Sequence, residues 1–310
     1  MRIGMIEKYN LDDFEFSYVY LAFWDKLEKC NTLLNYIEQT KKLPIDNRII
    51  CYLLNDETIS DGGNWHMIKS LINKYGLVPN TVMKETLNSN DTSILNKILD
   101  TKIKIYAKEI RETKNYSLKK MMCEIYKLLV YFFGEPPERF NWKYKSKNEN
   151  TNNNDTSDDK NANNNDTLDD IKKVEQLNKK ITKKSKSTKK SKSTKKSTKQ
   201  SKDKKYTLKC KNLNIKDANI DNSYNNGNTV TNITPLQFYN NIVPYDINRK
   251  IILIHNPNKE YYKMYDIKYN KNVINGYDNN YINVPLRVFK QCVIKSIKNN
   301  ESVWFSSEYR

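Results

Sequence analysis

The sequence predicts an α+β protein interrupted by a long low-complexity insertion, and three observations carry that expectation. Through most of the first 144 residues, apolar side chains recur at spacings of three and four, the stripe of amphipathic helices. In the last third, alternating Tyr and Ile positions and an Asn275-Gly276 pair mark strands and a turn. Between them the chain becomes Asn/Asp-rich and then lysine-rich, with Lys-Lys-Ser-Lys-Ser-Thr at 183–188 repeated at 189–194. Such a composition cannot bury enough apolar surface to offset chain entropy. The division is therefore 1–144, helical; 145–232, a disordered insertion; and 233–310, a helix, strands and a last helix.

Phe16, Tyr20, Phe23, Leu27, Cys30, Leu34 and Ile37 share one face of the first long helix. Asp12 with Glu15 offers a capping box for it, and Ser17 an equally good N-cap. A second helix is expected over Asn64–Tyr75, with Trp65, Ile68, Ile72 and Tyr75 on one face, Gly76 as a left-handed C-cap and Pro79 preventing continuation. Further periodic stretches run near Ile94–Ile110 and over Leu118–Phe133, the latter stopped by Gly134-Glu135-Pro136-Pro137. Beyond the insertion, Thr234-Pro235 reads as an N-cap with proline in the first helical turn. Strands are expected at Lys250–Ile254 and Tyr262–Tyr269. The final helix, Pro285–Asn299, places Leu286, Phe289, Val293 and Ile297 on one face, and Val303-Trp304-Phe305 begins another apolar segment.

The 310 residues contain 54 Lys and Arg against 36 Asp and Glu, a formal charge of +18. Lys172–Lys205 holds 16 lysines against Glu175 and Asp203, so +14 sits in that run and only +4 elsewhere. A flexible cationic run binds anionic polymers through counterion release. Yet no aromatic residue interrupts it to stack on bases, and a solvated insertion tolerated in a surface loop explains it better. Nucleic acid through Lys172–Lys205 is thus a weaker expectation than a plain insertion. A membrane span needs about 18 apolar residues; the longest apolar run, Leu128–Phe133, has six. Met1-Arg2-Ile3-Gly4 lacks the apolar core of a secretory signal. The cysteines at 30, 51, 123, 210 and 292 are scattered and form no Cys-x-x-Cys pair, and only His66 and His255 supply imidazoles. No disulfide framework, metal site or cofactor is expected, and the compartment predicted is the cytoplasm.

Four stretches stand out: Phe14-Glu15-Phe16-Ser17 with Tyr20-Leu21-Ala22-Phe23-Trp24-Asp25-Lys26-Leu27-Glu28; Asp61-Gly62-Gly63-Asn64-Trp65-His66-Met67 with Lys74-Tyr75-Gly76-Leu77-Val78-Pro79; Phe133–Trp142; and Thr234-Pro235-Leu236-Gln237-Phe238-Tyr239. Together they resemble the bleomycin hydrolases, papain-like cysteine aminopeptidases that include bacterial aminopeptidase C. Val303-Trp304-Phe305 agrees as well. The likeness implies a papain-like cysteine peptidase fold that is incomplete here: the helical part of the left domain before the insertion, and part of the second domain after it. It also implies peptide substrates, no cofactor, and a homohexamer whose sites face an internal channel.

By this resemblance Met1 falls just past the family's Gly-x-Cys-Trp nucleophile segment, and Arg310 before its His-Ala and Asn-Ser-Trp segments. None of the chain's cysteines is followed by Trp, and neither His66 nor His255 falls at the base's position. No catalytic residue is therefore assigned within the chain, which as given is expected not to hydrolyse. A truncated gene model and an inactive remnant both fit, and the stop inside Val303-Trp304-Phe305 favours the first. Gly62 and Gly63 are the assigned substrate-binding residues: the resemblance puts them at a wall of the cleft, where a peptide backbone approaches closely. The plainer reading of the pair is a turn and cap before a helix. The function expected is a cysteine-type aminopeptidase acting through a thioester acyl-enzyme; the alternative is a remnant or scaffold holding polyanions on the lysine run.

Overall fold

The computed structural model describes residues 1–55, 59–147, 173 and 228–305. Two compact units emerge, the first from the described parts of 1–150, 204–246 and 268–279, the second from those of 151–203, 247–267 and 280–310.

The first unit is built around one helix. Its elements are α1 (Arg2–Tyr9), α2 (Tyr18–Thr40), α3 (Arg48–Leu53), α4 (Trp65–Tyr75), α5 (Ser93–Glu112) and α6 (Leu118–Phe133). Ser17 is the N-cap of α2, its Oγ accepting from the Tyr20 N–H at 3.1 Å. The chain before it is extended, and Phe16 pairs with Pro79 instead of opening the helix. The expected stripe is otherwise observed: Tyr20, Phe23, Leu27, Cys30, Leu34 and Ile37 are buried, and α3, α4, α5 and α6 all pack against α2. Leu95, Leu99, Ile103 and Ile110 of α5, with Met121, Ile125, Leu129 and Phe133 of α6, complete this core at helical spacing. Gly134 ends α6 with φ 82, a conformation that costs glycine little.

Two short strands close the other side of the unit. β1 (Phe140–Tyr144) pairs antiparallel with β2 (Asn228–Ile233), with an irregularity between Phe140 and Trp142. Trp142 is buried, with edge-on rings of Tyr9 at 5.4 Å, Phe14 at 5.8 Å and Phe238 at 5.3 Å. Phe238 follows α7 (Pro235–Gln237), where Thr234 and Gln237 form a reciprocal capping box. The insertion expected over 145–232, including the lysine run, lies outside the described residues except at 145–147, 173 and 228–232. Both described ends are ordered against the unit: Lys147 N–H donates to Asn10 O, and Asn228 to Asn232 form most of β2.

The second unit holds a three-stranded sheet, β3 (Leu253–Ile254), β4 (Met264–Ile267) and β5 (Asn279–Asn283), ordered β3-β5-β4 with β3 parallel to β5. The strands are shorter than expected. Tyr262 and Tyr269 take φ of 60 and 58, which ends extended backbone on either side of β4. Asn283 is fully buried: its Oδ1 accepts from Asn256 N at 2.8 Å and its Nδ2 donates to the Asn256 and Lys259 carbonyls. The last helix, α8 (Leu286–Lys298), buries Val288 against Ile282 and Val284, with Phe289 and Cys292 partly covered. Leu286 and Ile297, expected on its inner face, are exposed.

Candidate functional site

Gly62 and Gly63 lie on the loop leading into α4, both exposed. Neither has a positive φ, and neither sits in a turn. A Cβ on Gly62 would meet Ser60 Oγ at 3.5 Å, and one on Gly63 would meet Met67 Sδ at 3.7 Å, both ordinary contacts. Contacts within the described residues thus do not require glycine at either position. The contrast is Gly76 at the other end of α4, with φ 77, where a Cβ would lie 2.1 Å from the Pro235 carbonyl oxygen. Its ψ of −154 is not the left-handed helical value expected of a C-cap; the conformation lets Leu77 N–H reach Pro235 O at 3.1 Å.

The loop is held from beneath by α2. Lys29 Nζ donates to the carbonyls of Ser60 at 2.8 Å and Gly62 at 2.7 Å, and pairs with Asp25 Oδ2 at 2.7 Å. Lys26, one turn earlier, reaches Asp61 Oδ1 at 2.7 Å. Asp61 Oδ2 accepts from Thr92 Oγ1 at 2.8 Å and Asn96 Nδ2 at 2.9 Å. Burial raises the Asp61 pKa, but these bonds to Lys26, Thr92 and Asn96 outweigh it and hold the carboxyl below its ordinary value. Burial drives the Lys26 ammonium the other way, below its ordinary value, against the pull of Asp61.

Asn64 caps α4: its Oδ1 accepts from the His66 and Met67 N–H groups. Its Nδ2 donates to Asn270 Oδ1 at 3.0 Å, in the 268–279 segment. In the same segment Asn272, fully buried, donates to Asp25 Oδ1 at 2.8 Å and accepts from Thr32 Oγ1 through its carbonyl. The Tyr277 N–H donates to Ser70 Oγ, and the Tyr277 ring lies 4.3 Å from Lys69 Nζ. That cover explains why α4 buries His66, Lys69 and Ser70 as well as its apolar side. The far end of α4 is anchored by Glu28, which accepts from Lys74 Nζ at 2.6 Å and from Tyr75 Oη, while Trp24 stacks on the Tyr75 ring at 3.9 Å.

The charged residues of Trp24-Asp25-Lys26-Leu27-Glu28-Lys29 are therefore the connectors between α2, the glycine loop and α4. Sequence reasoning picked Gly62 and Gly63 but missed these. The available signal was four ionisable residues on the buried side of a helix, at a cost that only partners can offset. Cys30, next in line, is no candidate nucleophile: burial pushes its thiol up to about 12. His255, in the second unit, bonds through Nδ1 to Val284 O and stacks on Tyr261. Among the described residues no group of three His, Cys, Asp or Glu gathers to hold a metal, and no helix is long and apolar enough to cross a membrane.

A model of the Peptidase C1-like family matches residues 1–162 and 154–310. The chain belongs to the Peptidase C1-like family. Bleomycin hydrolase of Mus musculus is 28% identical over 99% of this chain and 54% of its own length. Aminopeptidase C of Listeria monocytogenes is 29% identical over 96% of this chain and 52% of its own. The crystal structure of PepW from Lactobacillus rhamnosis HN001 superposes with a TM-score of 0.68 at 25% identity, covering 97% of this chain and 53% of that one. The chain thus spans about half the length of the Peptidase C1-like relatives it matches. Its α+β architecture is papain-like, as the resemblance implied.

Proposed function

We propose that this Peptidase C1-like chain works in a cysteine-type aminopeptidase of the bleomycin hydrolase kind, with Gly62–Gly63 as the wall along which a peptide lies. The observation that carries the site is the pair itself: exposed, out of any turn, and without a steric or conformational need for glycine among the described residues. An approaching backbone supplies that need, because a side chain would stand between the two chains. The relatives' names support the reaction class.

In that chemistry a thiolate attacks the scissile carbonyl, an imidazolium protonates the departing amine, and water then hydrolyses the thioester. The reading assigns thiolate, imidazole and orienting amide to no residue of this chain. It also carries a cytosolic homohexamer, which sedimentation velocity on the protein from the complete coding sequence would register.

The decisive experiment expresses the complete coding sequence and offers aminoacyl-coumarin amides with free and with acetylated amino termini. Release from the free amines only, abolished by iodoacetamide, is the expected result. Absence of turnover together with absence of labelling by a peptidyl thiol probe overturns the reading.

A further inference from the structure

The Lys29 ammonium has three N–H donors and three acceptors around it: Asp25 Oδ2 at 2.7 Å, the Ser60 carbonyl at 2.8 Å and the Gly62 carbonyl at 2.7 Å. Its side chain is 10% exposed, so these contacts replace hydration. Asp25 is itself fixed through its second oxygen by Asn272. Lys29 is therefore held in place from the helix and from the 268–279 segment before it touches the loop.

Capture of the Gly62 carbonyl has a stereochemical consequence. In a planar trans peptide the C=O and the following N–H point in opposite directions, and no peptide bond here is cis. Since the Gly62 C=O is drawn inward toward α2, the Gly63 N–H is turned outward, and among the described residues nothing accepts from it. We propose that Lys29 is a positioning residue for peptide binding: it sets the plane of the Gly62–Gly63 peptide so that the Gly63 N–H faces a backbone carbonyl of an extended peptide. This rests on the reading of Gly62–Gly63 as the wall.

The contacts around Lys26 make the role separable from simple attachment of the loop. Asp61 is tied to Lys26, Thr92 and Asn96, and Asn64 caps α4, none of them through Lys29. Removing the Lys29 donors frees the carbonyls of Ser60 and Gly62 while both neighbours of the glycine pair stay anchored.

The test uses the protein expressed from its complete coding sequence and reads KM and kcat on a peptide substrate, beside alkylation by iodoacetamide, a reagent too small to need the wall. Lys29→Met is expected to raise KM about tenfold, the effect of one lost hydrogen bond, with kcat and alkylation rate unchanged. Gly63→Trp raises KM whether or not Lys29 matters. A wild-type KM in Lys29→Met beside a raised KM in Gly63→Trp overturns the positioning role and leaves the wall standing. A wild-type KM in both variants, or no turnover in the wild type, overturns the wall and the positioning role together. A loss of kcat or alkylation without a KM change in Lys29→Met is general damage and also overturns it. Should Lys29→Met not fold because Asp25 is left without its cation, the double variant Asp25→Asn with Lys29→Met decides, since it removes that charge together with the donor to both carbonyls. Raised KM at unchanged kcat supports the inference there, and a wild-type KM overturns it.

Discussion

Lys26 Nζ lies 2.7 Å from Asp61 Oδ1, with the lysine side chain 2% exposed and the carboxylate 49% exposed. A buried ammonium is tolerated only with such a partner, so the loop carrying Gly62 and Gly63 is tied to α2 by a charge that cannot be left alone.

Asp61→Asn is expected to cost about 1–3 kcal/mol at pH 7, towards the lower end because the carboxylate is half in water. The Asp61 carboxyl titrates below its ordinary 3.8 in the folded protein. Its contribution is therefore complete above pH 3.8 and is lost as pH falls through the lower folded pKa. The Lys26 pKa is lowered too, and lower still without Asp61, so the variant recovers part of its deficit at alkaline pH. Urea midpoints of both proteins at pH 3, 7 and 9 check this; a gap that persists undiminished at pH 3 contradicts it.

Gly76 and Gly134 both have positive φ, 77 and 82, but differ in surroundings. An added Cβ at Gly134 meets nothing within 4 Å, whereas at Gly76 it would sit 2.1 Å from Pro235 O. Gly134→Ala should cost about 1 kcal/mol, the strain of the backbone alone. Gly76→Ala should cost clearly more, because the carbonyl that accepts from Leu77 N–H must move. Denaturation midpoints of the two variants decide; equal losses would contradict the close approach.

Asn64 has two jobs that substitution can separate. Asn64→Ala removes the cap of α4 and the bond to Asn270, while Asn64→Asp keeps an acceptor for the His66 and Met67 N–H groups and loses only the bond to Asn270. The alanine variant is expected to lose about 1–2 kcal/mol and the aspartate variant about half of that or less. Thermal melts rank them, and a variant Asp as unstable as Ala would place the energy in the Asn270 contact.

The thiols should separate by burial. Cys30 is fully buried, its thiol pushed up to about 12, while Cys51 is exposed. Brief treatment of the native protein with iodoacetamide at pH 8 should carbamidomethylate Cys51 and spare Cys30 until denaturant is added. Peptide mass spectrometry reads this directly, and native modification of Cys30 at the Cys51 rate would show an open core.

The long helices were legible because their signal is local. The buried positions of α2, α5 and α6 repeat every three or four residues, and Gly134 and Thr234-Pro235 mark boundaries in the neighbouring sequence. β1 and β2 were not, since Phe140 pairs with Ile233 and Tyr144 with Asn228, and nothing near either strand announces a partner so remote. The inner face of α8 was misjudged for a related reason. Of the stripe Leu286, Phe289, Val293 and Ile297, Phe289 packs partly buried against the cluster of Ile282, Val284 and Val288, whereas Leu286 and Ile297 are exposed and the fully buried residue is Val288, outside the stripe.

The amino-acid order by itself determined the α+β class and the four longer helices of the first unit, because helical periodicity is a property of neighbouring residues, and its resemblance to the bleomycin hydrolases singled out Gly62 and Gly63. Tertiary structure decided the meaning of Asp25, Lys26, Glu28 and Lys29. Each binds a group more than 30 residues away in sequence or shares one that does. Whether a charge is solvated or structural depends on what lies within about 3 Å of it, and that distance exists only once α2, α4 and the glycine loop have packed.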